Sequence, residues 1–198
     1  MKKTTLLLTL LFVSVFAIAQ VKEIKLEDER NANRLYIYGV NETLQDLDVT
    51  LTVEGSGFRQ STRKPRAVRI PATSKVNLMM LMVNKGEEPN YTPTLIVTDS
   101  LSRRALRKES TSIKIDPKKP INFYVTEHCK TCDTLIAKLD RTPYRYTATR
   151  FADNPEIKKQ VAMAITNLDT VSNAIVNLKG TLHTDIETLE ELLLKLEE

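Results

Sequence analysis

The chain has 198 residues, a formal net charge of +4 and a hydrophobic fraction of 41%. A length of this order is enough for one or two domains, each with a hydrophobic core of its own. The small excess of basic residues argues against nucleic-acid binding, which usually requires a strongly basic surface.

Residues 1–19 have the features of a cleaved export signal. Lys2 and Lys3 precede an apolar run over residues 6–18, and Ala17-Ile18-Ala19 forms a small-x-small cleavage pattern. The apolar run is short for a permanent span, so an uncleaved anchor is the poorer interpretation, and we expect no stable membrane span after cleavage. Cleavage would leave 27 basic against 25 acidic residues. We therefore predict an exported protein, periplasmic or secreted, in a compartment where disulfides persist.

Residues 20–116 alternate between apolar and polar side chains, as half-buried strands do. In the run DLDVTLTVEG, one face of the strand would carry Leu47, Val49, Leu51 and Val53. Turn-forming stretches separate it from similar runs, which are KEIKL, RLYIYGV, AVRIP, KVNLMMLMV, PTLIVT and TSIKI. Roughly seven strands in about 95 residues predict an antiparallel β-sandwich of immunoglobulin-like size, which could dock a partner protein.

Two features of this β-rich segment raise the question of a binding surface. The basic clusters RQSTRKPR (59–66) and SRRALRK (102–108) could form an anion-binding patch, although such runs are more often solvated loops. The group Met79, Met80 and Met82 could form a soft binding surface, although packing is its more common use. In both cases the sequence favours the second alternative.

Residues 121–198 have a different periodicity, and the proline-bracketed residues 117–120 form the predicted linker. Strands INFYVTE and YRYTATRF alternate with helices, of which the second begins at Asn154-Pro155. Thr184 and Glu187 are predicted to cap the last helix. The order β-α-β-α-β-β-α predicts an α/β domain with a mixed four-stranded sheet. The expected inward-facing helix residues are Cys132, Leu135, Ile136 and Leu139; Ile157, Val161, Ala164, Ile165 and Leu168; and Ile186, Leu189, Leu193 and Leu196.

The two cysteines of the chain, Cys129 and Cys132, lie where the first of these strands gives way to a helix. Backbone N–H groups and the positive end of the helix dipole would stabilise a thiolate at Cys129. Lys130 and a protonated His128 would act in the same direction. Cys132, one turn inside the helix, would be placed to attack a mixed disulfide, so the arrangement favours redox exchange.

Other uses of the cysteine pair remain open. A structural disulfide would close a very short loop and stabilise the fold little. A zinc site would need further ligands, and only His128 and His183 could join the cysteines. Covalent haem is excluded because Asp133, and not a histidine, follows Cys132.

The segment INFYVTEHCKTCDTLIAKL, with the elements that follow it, resembles the glutaredoxin branch of the thioredoxin-like superfamily over residues 120–198. The resemblance implies a thiol–disulfide oxidoreductase that acts on protein or small-molecule thiols and disulfides. Cys129 would be its nucleophile and Cys132 its resolving cysteine, with no metal and no cofactor beyond their redox-active disulfide. By the same resemblance, the residues expected to line the substrate groove are Lys130, Thr131, Val171 and Ser172.

Two departures from the family pattern keep other functions open. Ser172 occupies the place of the family's cis-proline, and a cis bond before a non-proline residue costs about 3–4 kcal/mol. The missing ring opens space beside the sulfurs, which in this superfamily can permit metal or cluster binding. The family's Gly-Gly-x-Asp glutathione segment is reduced to LHTDIE, so no glutathione-binding residue is assigned. The alternatives are a non-catalytic envelope binding or scaffold protein with a redox-inactive domain, and a thiol-based metal or cluster carrier.

Overall fold

The structure, a computed structural model, describes residues 24–60 and 64–198. This part of the chain is mostly β, with three sheets and three α-helices. The predicted export signal lies outside the described residues. Within them, no helix combines the length and the apolar character that a bilayer crossing requires.

The described residues before position 113 form nine strands. They are β1 (Ile24–Asn31), β2 (Arg34–Asn41), β3 (Leu47–Ser56), β4 (Phe58–Gln60), β5 (Val68–Ile70), β6 (Ser74–Val83), β7 (Asn90–Thr98), β8 (Leu106–Arg107) and β9 (Ser110–Ser112). Seven of these overlap the predicted strands. The other two, β4 and β8, have few apolar residues in alternation and therefore gave no signal in the sequence.

These strands form two sheets. One has the order β1-β2-β6-β4, with β9 also paired to β6, and the other has the order β7-β3-β5-β8. All pairs are antiparallel except β5 with β8, so the expectation of a wholly antiparallel arrangement is wrong at that edge. The reason is the route of the chain: after β7, at one edge of the sheet, it returns to the opposite edge and runs beside β5 in the same direction, where the Leu106 N–H donates to the Ala67 carbonyl.

Apolar side chains of both sheets pack into one core. The predicted face of β3 is confirmed, since Leu47, Val49, Leu51 and Val53 are all buried. Strands β2, β5 and β6 contribute Ile37, Ile70 and Leu81, each at most 1% exposed. Period-two alternation therefore identified the core side of these strands correctly.

The remaining strands form the mixed four-stranded sheet that the sequence predicted. They are β10 (Ile121–Val125), β11 (Tyr146–Arg150), β12 (Ile175–Leu178) and β13 (Thr181–His183), in the order β11-β10-β12-β13. The β10–β11 pair is parallel, and the β10–β12 and β12–β13 pairs are antiparallel.

Helices cover both faces of this sheet. They are α1 (Cys132–Leu139), α2 (Pro155–Ala164) and α3 (Leu189–Glu197), with a short 3₁₀ helix at Leu168–Thr170 before β12. On one face, α1 and α3 pack with Ile121, Phe123 and Val125 of β10. On the other, α2 packs with Phe151 and with Tyr124 of β10. The alternate residues of β10 thus serve two separate apolar clusters.

The last helix begins later than predicted. Thr188 is its N-cap: the Thr188 hydroxyl accepts from the Glu191 N–H, and the Glu191 carboxylate accepts from the Thr188 N–H. The predicted box of Thr184 and Glu187 is wrong. Both pairs have the same spacing, and Ile186, which is 1% exposed, enters the core before the helix starts.

The buried faces of the later helices also differ from the prediction at two positions. Ala164 ends α2 on the solvent side, and Leu192, absent from the predicted face of α3, is fully buried. In α3 the later start moves the face that meets the sheet, so that Leu192 and Leu196 are buried while Leu189 and Leu193 are only partly so.

The end of the β-rich segment lies against the mixed sheet's first crossover. Ile115 forms a parallel bridge with Tyr144, its N–H donates to the Pro143 carbonyl at 2.7 Å, and its carbonyl accepts from the Arg145 N–H at 2.8 Å. Lys114 donates to the Asp140 carbonyl at 2.7 Å, at the C-terminal end of α1. These bonds place the predicted linker, residues 117–120, between Ile115 and the start of β10.

Candidate functional site

The two cysteines form a disulfide between the end of β10 and the start of α1. The two sulfurs are 2.02 Å apart and the Cα atoms 5.7 Å apart. Cys132 is 1% exposed and packs in the cluster beneath α1 and α3, whereas Cys129 is only half-buried at its edge. An incoming group therefore has better access to Cys129 than to Cys132.

Helix α1 begins later than the sequence predicted. Cys132 is its first residue and Thr131 its N-cap, because the first helical hydrogen bond runs from the Leu135 N–H to the Thr131 carbonyl at 2.9 Å. The prediction that Cys132 lies one turn inside the helix is therefore wrong. Residues 126–129 form a turn instead, with the Cys129 N–H donating to the Thr126 carbonyl at 3.4 Å. Cys129 thus lies just before the helix, as expected.

Thr131, between the two cysteines, has a buried hydroxyl oxygen with no hydrogen-bond partner in the part of the chain that the structure describes. The hydroxyl does not cap the helix either, so the first-turn N–H groups receive no acceptor from it. An unsatisfied buried polar group costs about 1–3 kcal/mol. Removal of this hydroxyl is therefore expected to stabilise the fold.

Charged side chains around the pair are exposed. Lys130 and His128 both lie at the surface of the cysteine loop. Asp133, in the first turn of α1, forms an ion pair with Arg150 at the end of β11, with 2.8 Å between the Arg150 Nη2 and the Asp133 Oδ1. The guanidinium offsets a carboxylate that would otherwise repel a thiolate formed nearby, although solvent screens such exposed pairs.

Thr126 joins the cysteine loop to the segment that contains Val171 and Ser172. Its hydroxyl donates to the Val171 carbonyl at 3.2 Å, while its own carbonyl accepts from the Cys129 N–H. Thr126 is 8% exposed. Sequence reasoning missed this residue, although a polar residue directly after the apolar strand β10 was a signal that could have found it.

The remaining predicted groove residues are less closely associated. The Val171 side chain packs in the cluster on the α2 side of the sheet, and Ser172 is exposed. Every peptide bond in the described residues is trans, including the one before Ser172. The structure therefore connects Val171 to the cysteine loop through the backbone and Thr126, and leaves Lys130 and Ser172 at the surface.

Two features bear on ligands at this site. A cavity of about 20 Å³ lies beside the loop, lined in part by Thr126, His128 and Phe151, and it has room for about one water molecule. Across residues 24–60 and 64–198, no three His, Cys, Asp or Glu side chains come together in a group that could hold a metal ion. His183 lies on β13, at the sheet edge opposite β11.

Comparisons with known proteins assign neither a family nor a function to the chain. No protein-family model, no curated protein and no solved structure matches the chain. The chemistry open to the site follows from its own residues, which are one half-buried cysteine, one buried cysteine and the threonines that surround them.

Proposed function

We propose that the protein is an exported thiol–disulfide oxidoreductase in which Cys129 and Cys132 exchange disulfides with protein or small-molecule thiols. The redox unit would be a thioredoxin-like domain of the glutaredoxin type over residues 121–198. A β-sandwich over residues 20–116 would precede it and dock a partner. The observation that carries this proposal is the disulfide at the start of α1, with Cys129 accessible and Cys132 buried.

Exchange would proceed in two steps. In the reduced protein, the Cys129 thiolate attacks one sulfur of a substrate disulfide, forms a mixed disulfide and releases the first substrate thiolate. The Cys132 thiolate then attacks the Cys129 sulfur, which closes the protein disulfide and releases the second substrate thiolate. Two electrons pass from the protein dithiol to the substrate, and the thiol protons go to solvent or to the departing thiolates. The reverse sequence oxidises a substrate dithiol.

The surroundings of the pair support this division of roles. Cys129 precedes the N-cap of α1, where the uncapped N–H groups and the helix dipole favour an anion. Cys132 has a Cα only 5.7 Å from that of Cys129 and is shielded by Leu135 and Leu139. It can therefore reach the Cys129 sulfur while remaining protected from external thiols.

Thr126 would hold the site together through its hydrogen bonds to Cys129 and to the Val171 carbonyl. A substrate that approaches Cys129 would meet the exposed residues of the two segments that Thr126 connects, Lys130 and Ser172. We assign these a binding role, and the half-buried Thr131 and Val171 a role in shaping the groove floor.

The proposal is tested with a matched pair of variants, Cys132→Ser and Cys129→Ser, in the mature chain. Alkylation is followed against pH in each. We expect the thiol of Cys132→Ser to react well below the ordinary thiol pKa of about 8.5 and to accumulate mixed disulfides with added substrates. The thiol of Cys129→Ser should react slowly at every pH because Cys132 is buried.

The result that overturns the proposal is a Cys129 thiol that titrates like a free cysteine and forms no mixed disulfide. A non-catalytic scaffold with a closed staple would give that result. Metal analysis of anaerobically purified protein tests the carrier alternative directly. Bound metal that depends on both cysteines would support a metal or cluster carrier and contradict the exchange function.

A further inference from the structure

A cavity in the β-rich part of the chain lies beside the middle of strand β6, where the pairing of its outer side is interrupted among the described residues. One side of β6 pairs with β2. On the other side β9 pairs with residues 74–76 and β4 with residues 81–83. Among the described residues 24–60 and 64–198, none pairs with residues 77–80 on that side. These four residues line this cavity of about 240 Å³ between the two sheets.

A β-bulge shapes this interruption. Ile37 of β2 pairs with Met79, and the next residue, Tyr38, pairs with Asn77, so Leu78 is the additional residue. The Lys108 ammonium donates to the carbonyls of Asn77 at 3.0 Å and Leu78 at 2.8 Å. Bulges are enriched at binding sites because they redirect side chains and interrupt pairing. Here the bulge holds a cation at the wall of the cavity.

The two basic clusters of the sequence, far apart in the chain, meet at this cavity. Strands β5 and β8, which respectively follow the first cluster and belong to the second, pair through Val68 with Leu106 and Arg69 with Arg107. Lys64, Arg66 and Lys108 all line the cavity. None of its lining residues is acidic, and among the described residues neither Lys64 nor Arg66 forms an ion pair. Partial burial lowers the pKa of Lys108. Among the described residues, no carboxylate lines the cavity beside these cations.

The rest of the lining is largely apolar. Its apolar side chains come from both sheets, and they include Leu51, Val68, Leu78, Met79, Met80 and Leu106. Binding pockets typically combine such a lining with a few polar groups that fix the ligand's orientation. A cavity of about 240 Å³ limits an enclosed ligand to a small molecule.

We propose that this cavity binds a small monocarboxylate with a short apolar tail. Its carboxylate would contact Lys108 and Arg66, with Lys64 at the entrance, and its tail would lie against Leu78 and the methionines. Charge-assisted hydrogen bonds to a carboxylate would compensate the cluster of cations, and the flexible methionines would accommodate the tail. This site is independent of the disulfide and of the proposed redox function.

The test compares three probes of equal length on the mature chain by isothermal titration calorimetry or ligand-observed NMR. Hexanoate should bind, hexanol should bind with an affinity at least about tenfold lower, and hexylamine should not bind. Added salt should weaken hexanoate more than hexanol because it screens the cations. Absence of hexanoate binding at millimolar concentrations, or equal binding of hexanol, would overturn the proposal.

Variants from the same two clusters provide matched controls. Lys108→Gln and Arg66→Gln should each weaken hexanoate binding about tenfold. Arg103→Gln and Arg59→Gln remove cations of the same clusters that do not line the cavity, and should leave binding unchanged. Equal losses in the cavity and control variants would show only a general effect of net charge and would refute a built site. Circular dichroism confirms that each variant is folded.

Discussion

The two halves of the described chain differ in how they use polar groups. In residues 24–112, two sheets pack on one another, and Asp48 is held with no side-chain exposure by an ion pair to Arg69. In residues 121–198, helices cover both faces of one sheet, and the described ion pairs lie at the surface. In that half, the polar groups of the candidate site lie around the disulfide. Electrostatic stabilisation is thus concentrated in the first half, and the candidate chemistry in the second.

The two halves also have separate cores. The cluster between the first two sheets shares no buried residue with either cluster of the mixed sheet. If the cores act independently, damage to one should leave the other folded.

The largest loss of stability is expected from a substitution that creates a cavity in the core of the second half. Phe123→Ala, at a fully buried position, should lower the free energy of unfolding by about 4 kcal/mol. In a Cys129→Ser background, it should also expose Cys132 to alkylation at lower urea concentrations. Leu81→Ala, the matched change in the first core, should cost about 3 kcal/mol and leave Cys132 protected. Equal exposure of Cys132 in both variants would mean that the halves unfold as one unit.

Asp48→Ala should lower the free energy of unfolding by about 3 kcal/mol, because it leaves Arg69 without its buried partner. Asp48 also accepts a hydrogen bond from the Ser102 N–H. The control is Asp116→Ala, which removes an exposed pair with Arg145 and should cost less than about 1 kcal/mol. Chemical denaturation measures the free energy of unfolding of both variants. Similar losses would show that the buried pair stabilises the fold no more than the exposed pair does.

The same pair predicts a dependence on pH. The hydrogen bond from Arg69 holds the pKa of Asp48 below its ordinary value, against the opposing effect of burial. The folded pKa is then lower than the unfolded one, so the stabilisation is present above about pH 4 and is lost as the pH falls through the folded pKa. Asp48→Asn should therefore show a shallower loss of stability below about pH 4 than the unmodified chain. Equal slopes for Asp48→Asn and the unmodified chain would contradict this role of Asp48.

Thr131→Val should raise the free energy of unfolding of the oxidised protein by about 1–2 kcal/mol, because it removes a buried hydroxyl that has no partner and keeps the side chain's shape. Thr134→Val, at an exposed position in the same turn, should have little effect. If the hydroxyl bonds to a sulfur after reduction, the gain should be confined to the oxidised form, and the disulfide should become harder to reduce. An unchanged stability would indicate that the hydroxyl is satisfied in solution.

The smallest effect concerns the N-terminus of α3. Thr188→Ala should cost about 1 kcal/mol, because it removes the acceptor for the Glu191 N–H. Thr184→Ala, at the position that the sequence pattern also favoured, should cost far less. Thermal unfolding of the two variants compares them directly. A larger loss in Thr184→Ala than in Thr188→Ala would place the N-cap at Thr184, where the sequence pattern predicted it.

Much of the architecture was predictable because it follows from local patterns. Alternation in β3 identified four buried residues, and the change of period after residue 116 anticipated a mixed four-stranded sheet with its order of helices. At the site, the position of the cysteines between a strand and a helix was predicted as well. The helix starts were not, since Thr184 and Thr188 have equally good capping spacings and burial of Ile186 selects between them.

The sequence by itself determined which residues have apolar periodicity and where the cysteine pair falls relative to strand and helix, because these depend on neighbours a few positions away. Only the tertiary structure decided that Thr126 bridges Cys129 and Val171, that β8 runs parallel to β5, and that two basic clusters meet at one cavity. Those outcomes depend on contacts between residues distant in the chain, and such contacts are set by how sheets pack rather than by local sequence pattern.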